Sequence, residues 1–222
     1  MAIRQRAVLA EDKQERHHAI LDAAERLLHR SPDRVANVAE VADEAGLAKG
    51  TVYLYFPSKE ELLLALHERH VDDFFDALVG RLALRAPVTL DDMMALTRTH
   101  FLEQPTFLPL ATRCFGIMAT AVPPASASSF HQRMAQRLQE AGAGLERHFP
   151  ELRPGHGVAL LRRSFALIVG LWQMSSAHAS EEAGPCGLPA DDFPAELAAA
   201  LRALWEGTIG RPLRVAAAAP EA

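Results

Sequence analysis

Asn37-Val38-Ala39-Glu40-Val41-Ala42-Asp43-Glu44-Ala45-Gly46-Leu47-Ala48-Lys49-Gly50-Thr51-Val52-Tyr53-Leu54-Tyr55-Phe56-Pro57-Ser58-Lys59 holds two short helical patterns on either side of a glycine. Val38, Val41, Ala42 and Ala45 recur at the three- and four-residue spacing of a helix's inner face. Asn37 suits the position before that helix, since its side-chain oxygen can accept from first-turn amides. Glu40, three residues on, completes a capping-box pattern. Gly46 ends the helix where a left-handed residue is needed. A second helix is predicted over 49–56, and Pro57 stops it. Two short helices joined by a glycine-containing turn make a helix-turn-helix.

With Val52 at the centre of the second helix's inner face, a rotation of about 100° per residue puts Phe56 beside it and turns Gly50 and Leu54 outward. Thr51, Tyr53 and Tyr55 fall on the flanks. This outward set suits a DNA major groove. Gly50 lets backbone approach closely, Thr51 can bond a base edge or phosphate, the two phenols can donate to phosphates, and Leu54 could touch a thymine methyl. An aromatic pair on a short helix is as often core as surface. Against a core role, these are the chain's only tyrosines. Residues 45–59 contain no acid, while Lys49 and Lys59 supply positive charge. A phosphate backbone needs such a surface, although the chain as a whole carries a net charge of −5.

Outward from this stretch the 222 residues read as helix after helix, with little β-branched alternation. Ile20, Ala23, Ala24, Leu27 and Leu28 mark the stripe of a first helix over 13–29, broken by Ser31-Pro32-Asp33. Residues 1–12 are expected to be a flexible arm. Ser58 can cap a fourth helix, with Glu60 and Glu61 in its favourable first turn. Further helices are predicted over 90–104, 106–120, 129–149, 155–179 and 191–209, punctuated by prolines and by a Gly/Pro-rich segment over 184–189. The alanine-rich end, 211–222, is expected to be disordered. The predicted fold class is all-α: a three-helix helix-turn-helix domain over 13–58, then a helical ligand-binding and dimerisation domain over 59–210, about nine helices altogether. The absence of a long apolar run argues against a transmembrane span, and the absence of an apolar segment behind the basic start argues against a signal peptide. Two distant cysteines, Cys114 and Cys186, are no disulfide framework, and a cytoplasmic location is expected.

The run from Val38 to Leu62, with its glycines, aromatics, lysine and following acidic–leucine segment in order, resembles the signature of tetracycline-repressor-type regulators. The resemblance covers about residues 20–66, and beyond them only the helical layout is similar. It implies a homodimer that binds a palindromic double-stranded DNA operator and responds to a small-molecule effector, with no cofactor and no membrane partner. Carried over by position, Asn37, Lys49, Gly50, Thr51, Tyr53, Leu54, Tyr55 and Lys59 would contact DNA. Four positions depart from the family pattern. Asn37 stands where Thr or Ser is usual, Ala48 where Ser is common, and Leu54 and Tyr55 where an aromatic and a His are frequent. Such changes alter the operator rather than the fold.

A single recognition helix makes few contacts, so paired half-sites and a dimer interface are expected. The helix around 160–174 is apolar nearly all round, and the last helix carries an apolar stripe. Phe165, Ile168, Leu197, Leu201, Leu204 and Trp205 are the candidate dimer residues, although both helices could instead fill a monomer core. His100, Phe101, Phe107, Leu110, Cys114, Phe115, Met118 and Trp172 are candidates to line a pocket for a small, largely apolar effector. His67 and His70, with Asp72 and Asp73 nearby, could hold a metal, but such spacings more often mark the wet face of an exposed helix. No metal site and no catalytic set stands out, so the chain reads as a regulator rather than an enzyme. A helical ligand-binding protein without operator binding, and a small helical enzyme or metal sensor, are the alternatives.

Overall fold

A computed structural model describes residues 2–32, 34–176 and 192–210. Among the described residues the architecture is nine α-helices without a strand. They are α1 (Ala2–Arg30), α2 (Val38–Ala45), α3 (Lys49–Tyr55), α4 (Lys59–Ala83), α5 (Leu90–Thr97), α6 (Phe107–Met118), α7 (Pro124–His148), α8 (His156–Ser176) and α9 (Phe193–Ile209). One π-helical turn, Arg98–Leu102, follows α5. Helix α1 starts well before residue 13, the expected start, because residues 2–12 hold good helix formers and no Gly or Pro. Helix α7 starts at Pro124 rather than near 129, since proline is tolerated in a first turn. The 184–189 segment and the expected tail over 211–222 lie outside the described residues.

The chain divides into two compact units. The first comprises residues 1–73 and 100–131. Its core joins Ile20, Ala23 and Leu28 of α1 to Val38 and Val41 of α2, Val52 of α3, Phe56, and Leu62 and Leu66 of α4. Leu110 and Cys114 of α6 belong to the same core. Two polar ties hold α6 there as well: Arg113 Nη1 donates to the Pro32 carbonyl at 2.8 Å, and the Cys114 thiol lies 3.6 Å from the Leu63 carbonyl. Burial pushes that thiol up to about 12, so it stays protonated. Charge pairs join α1 to α4: Arg69 binds Asp22 at 2.5 Å and also Glu25, and His70 Nε2 lies 2.8 Å from Glu25 Oε1.

The second unit comprises residues 74–99 and 132–222. Helices α7 and α8 come close where a Cβ on Gly157 would lie 2.2 Å from the Gly142 carbonyl oxygen. Only glycine permits that backbone contact. Helix α8 packs along α9, where Trp205 Nε1 donates to Ser164 Oγ at 2.9 Å and that hydroxyl donates to the Leu160 carbonyl at 2.9 Å. The proposed dimer residues do not form one open face. Ile168, Leu197, Leu201 and Trp205 are buried within the protomer, while Phe165 and Leu204 are half-buried. The apolar stripe of α9 is largely taken up by packing within its own chain.

Candidate nucleic-acid interface

Local signals build the α2–turn–α3 segment. Asn37 Oδ1 accepts from the amides of Ala39 (2.9 Å) and Glu40 (3.1 Å), and the Asn37 amide donates to Glu40 Oε2 at 2.8 Å. Both halves of the capping box are therefore present. Gly46 takes φ 67°, and its amide donates to the Ala42 and Asp43 carbonyls. Helix α3 follows, with Ala48 giving no side-chain cap. Ser58 caps α4 through the Glu61 amide at 3.1 Å.

Val52 and Phe56 are buried, so the opposite side of α3 faces out. Leu54 is 82% exposed and Tyr53 is 43% exposed, while Lys49 and Gly50 are also exposed. Lys49 Nζ lies 5.9 Å from the Tyr53 ring centroid, which puts the two on one side of the helix. The tyrosines separate in role. Tyr53 stands outward, whereas Tyr55 is half-buried and packs against the core. Thr51 is half-buried on the same flank. Lys59 is exposed at the start of α4, 3.9 Å from Glu60 Oε1.

Two of the acids beside this surface, Glu44 and Glu40, are matched by arginines that the sequence did not single out. Glu44 accepts from Arg26 at 2.8 Å and is also bound by Arg30, which together hold its carboxyl down at about 2, Arg30 contributing most. Arg34 grips Glu40 at 2.8 and 3.0 Å and keeps it below the usual carboxylate range, with help from the Asn37 amide. The charges of Glu40 and Glu44 are thus neutralised locally, which favours approach of a polyanion, while Asp43 of the same helix stays exposed.

The candidate pocket residues separate. Phe101 and Phe107 are buried together in the first unit with centroids 4.6 Å apart, and Leu110 and Cys114 lie in the core described above. His100 and Met118 are half-buried and Phe115 is half exposed. Trp172 lies in the second unit, edge-on to Phe193 at 5.4 Å. His67 and His70 are not on a wet face, because both are buried. His67 packs against Phe107 (5.7 Å) and Phe130 (6.2 Å), and His70 stacks on Phe107 at 6.1 Å. Burial depresses His67 to about 3, so its imidazole is neutral. Among the described residues no hydrogen-bond partner reaches its Nδ1. Spacing on α4 alone could not reveal this, because the covering rings come from α6 and α7. Among the described residues no three His, Cys, Asp or Glu side chains are placed to hold a metal ion, and no helix is long and apolar enough to cross a membrane.

Two family models match this chain. The family model described as bacterial regulatory proteins of the tetR family matches residues 20–66, and a tetracyclin repressor-like C-terminal domain model matches residues 68–212. The fatty acid metabolism regulator protein of Bacillus subtilis is 32% identical over 66 residues, covering 30% of this chain and 34% of the relative. The HTH-type transcriptional regulator EthR of Mycobacterium tuberculosis is 45% identical over 58 residues, 26% of this chain and 27% of its own length. The chain thus spans about a third or less of the curated relatives it matches. Among solved structures, SmeT, the repressor of a Stenotrophomonas maltophilia multidrug efflux pump, superposes with a TM-score of 0.56 at 21% identity, covering 92% of this chain and 96% of that one. A TetR-family transcriptional regulator from Streptomyces coelicolor gives 0.51 at 23% identity, covering 87% and 99%. At such identities the superpositions speak for the fold.

Proposed function

The chain belongs to the tetracycline-repressor family of bacterial regulators, and on that footing we propose that it is a ligand-responsive DNA-binding repressor. It works as a homodimer on a palindromic operator in the cytoplasm and leaves the DNA when a small, largely apolar effector binds. The observation that carries the reading is the outward side of α3, where Lys49, Gly50, Tyr53 and Leu54 are all exposed while Val52 anchors the helix from behind. Lys49, Tyr53 and Lys59 bind phosphates, Thr51 and Leu54 meet bases, and Asn37 and Tyr55 sit at the margins of the contact.

The effector is expected among Phe101, Phe107 and Phe130, where the neutral imidazole of His67 offers a polar group in apolar surroundings. Dimerisation uses the parts of α8 and α9 that the protomer leaves uncovered, Phe165 and Leu204 among them. Helix α4, which contributes His67 and begins beside α3, is the lever. An effector that binds better to the arrangement with misplaced recognition helices shifts the population away from DNA.

Gel-shift titration of purified protein against its own upstream region, with a salt series, tests the reading. Lys59→Ala and Tyr53→Phe should weaken binding to every duplex, and Lys59→Ala should lower the salt slope by about one. Wild-type affinity in Lys59→Ala, or a monomer with no salt-sensitive attraction to duplex DNA, overturns it.

A further inference from the structure

Helix α3 exposes three parallel rows of side chains. Lys49 and Tyr53 form one, as their 5.9 Å approach shows. Thr51 and Tyr55, also four residues apart, form another, half-buried row on the other flank. Between them, opposite the buried Val52, lie Gly50 and Leu54. Hydroxyl and ammonium groups therefore occupy the two sides, and the central row has no polar side chain at all.

In a major groove the flanks of an inserted helix meet the two phosphate walls, and its outermost row meets the base edges. Every base edge there offers donors or acceptors, and only thymine adds an apolar group, the C5 methyl. Gly50 and Leu54 can satisfy no donor and no acceptor. Leu54, at 82% exposure, also makes no structural use of its isobutyl group inside the protomer. Gly50 is equally unexplained from within: a Cβ there would meet nothing within 4 Å, and its backbone is ordinary helix. Both residues make sense against an external apolar surface approached closely.

We infer that this protein selects its operator by thymine methyl groups held against Leu54, with Gly50 letting the helix sit deep enough to reach them. The inference rests on the DNA-binding reading above. It assigns thymine selection to the central row and leaves Lys49, Tyr53 and Tyr55 to the sugar–phosphate backbone.

The test begins with selection of a duplex from a randomised pool by the full-length protein. Each thymine of the selected duplex is then replaced by deoxyuridine, which removes the methyl and nothing else, and affinity is read by fluorescence anisotropy. At least one thymine in each half-site should lose about four-fold in affinity, the equivalent of one buried methyl group. Leu54→Ala should bind the thymine and deoxyuridine duplexes equally. Tyr53→Phe should bind both more weakly and keep the difference between them. Indifference of the wild-type protein to every deoxyuridine substitution, or a difference that persists in Leu54→Ala, overturns the inference while leaving DNA binding intact. Failure to enrich any duplex overturns the DNA-binding reading, and this inference with it.

Discussion

Gly50→Ala should make this protein more stable and worse at binding DNA. Glycine in a helix is less stable than alanine by about 0.5–1 kcal/mol, because it surrenders more backbone freedom on folding. At Gly50 nothing offsets that difference. The position is helical without positive φ, and a Cβ would have no heavy atom within 4 Å. Gly50 is the second residue of α3, where the difference is smaller than in a helix interior, so the gain should be at most that figure, a rise of up to about 4 °C in Tm for a chain of 222 residues. On the duplex the added methyl group stands at the most advanced point of α3, so it holds the whole helix away from the bases. Lifting Leu54 and Thr51 out of contact should weaken binding at least ten-fold, about 1.4 kcal/mol. Thermal melting followed by circular dichroism reads the first effect, and anisotropy on a selected duplex at fixed salt reads the second. Unchanged DNA affinity in a stabilised variant would refute the close approach. A lowered Tm would refute the account of open space around the Cβ.

Further outcomes follow from the second unit and from the buried imidazole. Gly157→Ala should destabilise by about 1–3 kcal/mol in denaturant titration, because its Cβ would meet the Gly142 carbonyl at 2.2 Å and backbone has to move; unchanged stability would mean that α7 and α8 do not cross so tightly. Trp205→Phe should lose about 1 kcal/mol by removing the indole donor to Ser164, and Ser164→Ala in the same background should then cost less than it does alone. Stability should also fall as pH drops below 6.5. The folded His67 sits near 3 and the unfolded ring near 6.5, so the unfolded chain binds the extra proton between those values. The slope is up to about 1.4 kcal/mol per pH unit. His17, lowered by burial and by its cationic neighbours, adds in the same direction, while Glu25, Glu40 and Glu44 contribute only below their ordinary 4.5. Melting from pH 6.5 to 5 should therefore flatten in His67→Leu, and an undiminished slope there would assign the effect elsewhere.

What could be read from the residues alone was local chemistry. Asn37, Gly46 and Ser58 terminate or open helices through contacts within a few positions, so their roles are written into the order of the chain. The facing of α3 was equally legible, because Val52 and Phe56 fix a phase and every other residue follows from it. Burial by distant elements was not. The stripe of Leu197, Leu201 and Trp205 announces that one side of α9 is covered, but periodicity is the same whether the cover is α8 or a second subunit. His67 looked solvent-facing for the same reason, since Phe107 and Phe130 arrive from sequence positions far away. Charge counting missed that Arg26, Arg30 and Arg34 quench Glu40 and Glu44, a matter of geometry between α1, the following loop and α2.

Because Leu110 and Cys114 complete the core that Ile20, Val41 and Val52 begin, the helix-turn-helix cannot be cut out and transplanted as a cassette. A chimera spliced at residue 67, between the two family segments, would arrive at its new host with an apolar socket empty and with Pro32 stripped of the Arg113 guanidinium. A graft that carries α6 along, or a host whose own sixth helix offers a matching pair of apolar side chains, should keep its operator preference.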